Sequence, residues 1–180
     1  LRPLNFEAVK QDLEKKGLVD LAPEFTLASG KLAALLYKEE IERTMRTSEF
    51  DGFQLLQLQD FPGQGTALVG LLNAFWESKG AISAAEFREF CAPVVPLLSF
   101  EKAVYGSGEN FIAKVQVANF KEPINDYSIR WEIRDGTRKL NIGDIRGSSI
   151  TIGNGNVVGE INSVLEVEKA TQLEVQVEVS

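Results

Sequence analysis

The sequence predicts an α+β chain in two parts, with a mostly helical first part followed by an antiparallel β-sandwich of immunoglobulin type. Apolar residues recur at helical spacing through most of the first part, and at every second residue after Pro96. Turn signals rich in Gly, Asn and Asp separate the later apolar runs, as in short-stranded sandwiches. These observations divide the chain into residues 1–98 and 99–180.

Four stretches of the first part are predicted to be helices because their apolar residues return every three or four positions. Asn5 is predicted to be the N-cap of the first stretch, and Gly17 and Gly80 are predicted to end the first and the third. The stretches run from Asn5 to Gly17, from Ser29 to Arg46, from Thr66 to Lys79, and onward from the Ser83–Glu86 capping box.

The segment Phe53–Asp60 is predicted to be a strand that is buried on both faces. It follows the turn signal Asp51-Gly52, and its leucines are interleaved with glutamines. Such a run is more typical of a strand with partners on both sides than of a surface helix. Gly63 and Gly65 end it.

Three runs in the second part alternate apolar and polar residues and are predicted to be strands. Trp131 lies in the middle run and is predicted to be a core residue of the sandwich. With one cysteine in the chain, packing has to hold that core without a disulfide. The runs are residues 111–117, 127–134 and 173–179.

The composition excludes several classes of function. The chain has 180 residues, a net charge of −7, no histidine and one cysteine. It therefore has no Ser–His or Cys–His nucleophile pair, no histidine metal ligand and no multi-cysteine metal site. Neither part is basic, so we expect no nucleic-acid or anionic-membrane surface. No apolar run reaches the ~20 residues of a membrane-spanning helix.

The remaining motifs are interpreted as structural. Residues 61–66 lack the lysine and the glycine spacing of nucleotide-binding loops, and residues 76–79 lack the ligand run of a calcium loop. The carboxylates in 38–42 have i,i+4 partners and are interpreted as a solvated helix face. Cys91 is interpreted as a small core residue. We therefore predict no metal and no cofactor.

Asp60, Gln59 and Gln64 form the polar group for which a binding role is considered. A strand buried on both faces has little reason to carry such residues unless they face a hydrogen-bonding partner, such as a ligand at the carboxyl end of a barrel strand. The alternative is that they satisfy the loop backbone around Gly63 and Gly65. The residues alone leave both alternatives open.

The stretch Leu58–Thr66 resembles the end of the catalytic domain in bacterial proteins of glycoside hydrolase family 2, which are β-galactosidase-like. The alternating runs after Phe100 resemble the Ig-like domain that these proteins carry. Four shorter stretches add to the resemblance, namely Ala28–Leu32, Tyr37–Ile41, Gly52–Leu56 and Phe75-Trp76 with Lys79-Gly80.

The resemblance implies that residues 1–98 are the last, mostly helical piece of an incomplete (β/α)₈ barrel, and that 99–180 are an Ig-like sandwich without its last strand. It implies a parent glycosidase, periplasmic or extracellular, that acts on sugars or polysaccharides. Asp60, Gln59 and Gln64 would then lie on the rim of its saccharide site. The two catalytic carboxylates of such enzymes stand upstream in this family, so we expect no catalytic residue here.

The competing hypothesis is a non-catalytic module, in which a helical lobe and an Ig-like domain serve carbohydrate binding or adhesion. A glutamate at the end of a predicted strand upstream of these residues would favour the glycosidase. Under either hypothesis, the open edge of the strand 173–179 and the apolar faces of a partial barrel predict self-association of the isolated segment.

Overall fold

The computed structural model describes residues 2–63 and 68–180 and divides the chain into two compact units. The first unit comprises Leu1–Ile41 and Phe53–Phe90, and the second comprises Glu42–Gly52 and Cys91–Ser180. Helices are the regular elements of the first unit, and strands are those of the second.

Helix α1 (Leu4–Lys15) is followed by a short 3₁₀ turn (Val19–Leu21) and by the long helix α2 (Ala22–Arg46). The predicted N-cap at Asn5 is wrong, since α1 already begins at Leu4 with Pro3 in the cap position. Helix α2 also begins earlier than Ser29. Pro23 lies in its first turn, where a missing backbone N–H breaks no helical hydrogen bond.

Helix α3 (Ala84–Phe90) follows the predicted capping box. The backbone N–H of Ser83 donates to Oε2 of Glu86 at 2.7 Å, and the N–H of Glu86 donates to Oγ of Ser83 at 3.2 Å. The Ser83 contacts lower the pKa of the exposed Glu86 carboxyl. The capping box is confirmed.

The predicted barrel piece is wrong. Phe53–Asp60 is an irregular segment with one isolated bridge, and residues 68–79 form turns and bridges instead of the predicted helix. The reason lies in the backbone of Leu72, whose N–H donates to the carbonyl of Leu58 while its carbonyl accepts from the N–H of Asp60, each at 3.0 Å. These lateral bonds replace helical ones. A single parallel bridge between Gln59 and Leu72 does not make a barrel sheet.

The second unit contains six strands in two three-stranded antiparallel sheets. One sheet has the order β1-β2-β5 and the other has the order β4-β3-β6. The strands are β1 (Val94–Phe100), β2 (Asn110–Asn119), β3 (Ile124–Asp135), β4 (Arg138–Ile150), β5 (Gly153–Val164) and β6 (Leu173–Val179). The three predicted strands are confirmed as parts of β2, β3 and β6. Strand β1 includes Pro96, close to which the sequence placed the boundary.

The two sheets share one apolar core, which makes the second unit a β-sandwich. Val115 and Ile161 of the first sheet and Ile129 and Ile133 of the second are fully buried in this core. Trp131 packs at its edge and is half-buried. The alternating pattern therefore predicted the inward-facing residues because a strand turns successive side chains to opposite faces.

Candidate functional site

The polar group singled out in the sequence lies in the first unit. Asp60 is buried, with 6% of its surface exposed. Its Oδ1 atom accepts a hydrogen bond from the backbone N–H of Gly70 at 2.9 Å and one from Nζ of Lys79 at 2.8 Å. Gln59 is half-buried and forms the bridge to Leu72. Gln64 lies outside the described residues.

The ammonium group of Lys79 connects Asp60 to the loop beside it. Besides Asp60, Nζ of Lys79 donates to the carbonyls of Gly70 at 2.8 Å and Leu68 at 3.3 Å. A Cβ at position 70 would lie 2.5 Å from the backbone nitrogen of Asp60, so the close approach of the two segments requires glycine. For Asp60, this geometry matches the loop-satisfying alternative, although the glycine it contacts is Gly70.

Tyr37 of α2 holds the same loop from another side. Its hydroxyl donates to the carbonyl of Val69 at 3.0 Å. Burial raises the pKa of Tyr37, and the negative charge of Asp60 raises it further. The hydroxyl therefore stays protonated and acts as a donor across the physiological range. Asp60, Lys79 and Tyr37 together form a polar junction that holds the segment 68–70.

A short hairpin next to this junction displays two aromatic side chains. The backbone N–H of Asn73 donates to the carbonyl of Glu77 at 2.9 Å, and Oδ1 of Asn73 accepts from the N–H groups of Phe75 and Glu77. Phe75 is 82% exposed and Trp76 is 63% exposed. We call residues 73–77 the aromatic hairpin.

Sequence reasoning missed the aromatic hairpin because Phe75 and Trp76 fit the apolar stripe of a predicted helix. Trp76 instead has a φ of 67°, a conformation that side-chain-bearing residues rarely adopt. The available signal was Asn73, since Asn side chains close turns by accepting hydrogen bonds from the backbone two residues onward. The second bridge, between Leu72 and Ser78, closes the base of the hairpin.

The helices of the first unit carry apolar side chains that lie in solvent. We define the exposed α2 face as Phe25, Leu32, Leu35 and Leu36, all of which are about half exposed or more. Helix α1 contains no buried residue, although Leu4, Phe6 and Val9 are apolar. Large contiguous apolar surfaces on a folded unit mark sites of interaction with other protein.

The other candidates examined in the sequence have ordinary surroundings. Cys91 is half-buried, and burial raises the pKa of its thiol, which disfavours the nucleophilic thiolate. Glu42 lies 3.2 Å from Arg46, four residues along α2, as predicted. Within residues 2–63 and 68–180, no group of three or more Cys, Asp or Glu side chains is placed to hold a metal ion.

Comparison with protein families matches the second part of the chain. A family described as a domain of unknown function, DUF8488, matches residues 109–180, which contain β2 to β6. Curated proteins gave no match. Among the described residues, no helix has both the length and the apolar character needed to cross a membrane.

Proposed function

We propose that this chain is a segment of a glycoside hydrolase of the family 2 type, whose activity is the hydrolysis of glycosidic bonds in sugars or polysaccharides. The residues 58–66 carry the sequence resemblance to that family. The role proposed for the segment is to contribute contacts to the saccharide site and to add an accessory β-sandwich. The catalytic carboxylates belong to other parts of the parent protein, and its proposed location, periplasmic or extracellular, follows from the resemblance.

This proposal depends mainly on one observation, which is that Phe75 and Trp76 of the aromatic hairpin are exposed to solvent. Burying one such side chain contributes about 1.5–3 kcal/mol, so two adjacent exposed rings are a large unused source of binding energy. Pyranose rings present a face of C–H groups that packs on aromatic rings. Their hydroxyl groups require amide or carboxylate partners at the edge of such a contact.

Gln59 supplies an amide at the base of the same hairpin. Its bridge to Leu72 ties it to the hairpin strand, and the buried Asp60 holds the neighbouring loop in place. In this proposal, Asp60 positions the rim of the saccharide site, and Gln59 with the two aromatic residues contacts the sugar. Gln64 stays a predicted contact that lies outside the described residues.

The exposed apolar helix faces support the view that the first unit works as part of a larger body. Side chains of the exposed α2 face would gain free energy by packing on further protein. The parent glycosidase supplies such protein in this proposal. When the segment is isolated, the same faces are expected to bring copies of it together.

One observation favours the second hypothesis, a non-catalytic carbohydrate-binding or adhesion module. The β-sandwich has an apolar core of its own, drawn from both sheets, as expected of a unit that serves as a separate module. An adhesion or binding role of such a module would also use the aromatic hairpin.

The first experiment is a glycan panel tested against the chain by intrinsic tryptophan fluorescence. Saccharide binding should change the emission of the exposed Trp76 in the unchanged chain. Isothermal titration calorimetry, which needs no tryptophan reporter, should show that Phe75→Ala and Trp76→Ala each weaken binding about tenfold. Phe120→Ala removes an exposed aromatic residue of the second unit and is the matched control. Equal saccharide affinities of all three variants would exclude the aromatic hairpin as the binding site.

The second experiment separates the two hypotheses. The parent protein is assayed for hydrolysis of a panel of aryl glycosides. Turnover that falls in Trp76→Ala but not in Phe120→Ala supports a glycosidase. A parent that binds glycans and hydrolyses none of the panel supports the non-catalytic module.

A further inference from the structure

Strand β6 forms the edge of its sheet in the described part of the chain. It pairs with β3 in an uninterrupted antiparallel register from Leu173 opposite Asp135 to Val179 opposite Ile129. Its other side has no strand partner among the described residues. A strand edge exposes backbone N–H and C=O groups, which form a template for a further strand.

The hydrogen-bonding phase of the β3–β6 ladder identifies the backbone groups that face the open side. Ser128 and Ser180 exchange both backbone hydrogen bonds, each at 2.9 Å. Because such pairs alternate along an antiparallel ladder, Glu178, Gln176 and Glu174 also bond to β3. The N–H and C=O groups of the apolar residues between them therefore point away from β3. These residues are Leu173, Val175, Val177 and Val179.

The side chains of these same four residues point toward the core and remain only half-buried. In β3, the inward residues Ile129 and Ile133 are fully buried. The difference indicates that the core is incompletely covered at the β6 edge. A further strand with apolar residues at its inward positions would cover it.

The other edge strands carry a proline, register shifts or basic residues, which discourage pairing, and β6 carries none of these three features. Strand β1 contains Pro96, which has no N–H to donate, and β5 has two register shifts against β2. Strand β4 contains Arg138, Lys139 and Arg146. The sequence of β6, Leu-Glu-Val-Gln-Val-Glu-Val, has no proline, glycine or basic residue.

The outward face of β6 determines the charge of its partner. Glu174 and Glu178 are exposed on either side of Gln176. The arginines opposite them in β3 are occupied elsewhere, since Arg130 donates to Asp144 and Arg134 donates to Glu132. A strand with basic residues opposite Glu174 and Glu178 would therefore gain two cross-strand ion pairs.

The same charges oppose full-length antiparallel pairing with a second copy of β6. An antiparallel pair of β6 strands centred on Gln176 would place Glu174 of each copy opposite Glu178 of the other. Like charges directly opposite each other in a ladder are destabilising. Charge complementarity thus favours a basic strand over self-pairing.

We propose that the open edge of β6 binds an extended segment of alternating apolar and basic residues, which joins the sheet as a strand antiparallel to β6. Main-chain hydrogen bonds to Leu173, Val175, Val177 and Val179 supply affinity. Apolar side chains close the core, and basic side chains opposite Glu174 and Glu178 select the partner.

The test uses a fluorescent peptide of about nine residues, with valine at alternate positions, lysine at the two positions that would face Glu174 and Glu178, and threonine elsewhere. The control peptide has glutamate in place of lysine. Fluorescence anisotropy at about 50 mM salt should show the lysine peptide binding the chain about tenfold more tightly. Equal affinities, or binding of neither peptide, would overturn the proposal.

Variants of the chain sharpen the test. The double variant Glu174→Lys, Glu178→Lys should reverse the preference between the two peptides. Val177→Pro removes an N–H that faces the open side and leaves the bonded pairs with β3 intact, so it should lose binding while the far-UV circular dichroism of the sandwich is retained. Retained lysine-peptide preference in the double variant would count against the proposal.

Hydrogen exchange locates the peptide independently of affinity. At saturating lysine peptide, the amides of Val175 and Val177 should become about tenfold better protected. The amides of Glu174, Gln176 and Glu178 should change little because β3 already holds them. Protection that appears instead on another edge strand, or on no strand, would refute binding at β6.

Discussion

The Nζ atom of Lys79 lies 2.8 Å from Oδ1 of Asp60, a carboxylate that also accepts the backbone N–H of Gly70. Asp60 is almost fully buried, whereas about a third of the Lys79 side chain is exposed. This pair joins the segment after Gln59 to the loop before Leu71. We therefore expect the pair to contribute to the stability of the first unit.

Asp60→Asn is expected to destabilise the first unit by about 2–3 kcal/mol, because hydrogen bonds to a charged group contribute about this much and the ammonium of Lys79 loses its partner. Thermal unfolding followed by circular dichroism measures the change. Asp51→Asn, at an exposed position in the chain shortly before, is the control. A melting temperature equal to that of the control would show that the pair contributes nothing. In the glycosidase that we propose as the parent, Asp60→Ala should also weaken saccharide binding and turnover.

Gly143→Ala is expected to destabilise the β-sandwich by about 1–3 kcal/mol through overpacking. Gly143 lies opposite Trp131 in the β3–β4 ladder, and a Cβ at position 143 would come within 2.5 Å of the indole ring. The aromatic ring covers the glycine, so the two residues stabilise each other. Urea unfolding measures the loss. Gly52→Ala, with no atom within 4 Å of the added Cβ, should leave the sandwich transition unchanged.

Glu132 is expected to make the stability of the sandwich sensitive to acid. Hydrogen bonds from Lys139 and Arg134, each 2.6 Å long at the closest, lower the pKa of its carboxyl below the ordinary value of 4.5. A lowered folded-state pKa gives stability that is present above the ordinary value and is lost as pH falls through the folded-state value. Thermal unfolding between about pH 6 and pH 3 should therefore show a smaller loss in Glu132→Gln than in the unchanged chain.

Glu160→Gln on β5 provides the baseline for removing one exposed carboxylate from the sandwich. The prediction fails if Glu132→Gln and Glu160→Gln lose stability in parallel as the pH falls. A direct measurement is the titration of the Glu132 side-chain carbon by nuclear magnetic resonance, which should give a midpoint below 4.5.

The isolated chain is expected to self-associate through the exposed α2 face. Leu32→Glu with Leu35→Glu places charges on this face and should shift the weight-average mass from light scattering toward that of a monomer. Val104→Glu changes an exposed apolar residue outside the helices and is the control. A clean monomer of the unchanged chain at high concentration would contradict the prediction.

The sequence-based predictions were correct where the structure depends on near neighbours in the chain, and wrong where it depends on contacts between distant segments. The capping box at Ser83 and the strands of residues 111–117, 127–134 and 173–179 were predicted correctly because a side-chain cap and a two-residue alternation are local signals. The predicted helix from Thr66 to Lys79 was wrong over its described residues. Its apolar spacing was helical, but the backbone of Leu72 pairs with residues more than ten positions away.

The same contrast between local signals and distant contacts applies to the candidate site. Composition and spacing directed attention to Asp60, yet its two partners at positions 70 and 79 could not be read from a predicted strand followed by a helix. The aromatic hairpin was hidden for the same reason, since the side chain of Asn73 closes a turn inside an apparently helical stretch. The local sequence pattern does not show whether an apolar stripe packs against other residues or is exposed to solvent.

The sequence by itself determined the inward-facing residues of the sandwich, the cap of α3 and the absence of histidine chemistry. Each of these depends on residue type or on neighbours within a few positions. Only the tertiary structure decided that Asp60 is paired with Lys79, that Phe75 and Trp76 lie in solvent, and that β3 is the one described strand that pairs with β6. Those features depend on contacts between distant segments, whose free energies outweigh local helix and strand preferences.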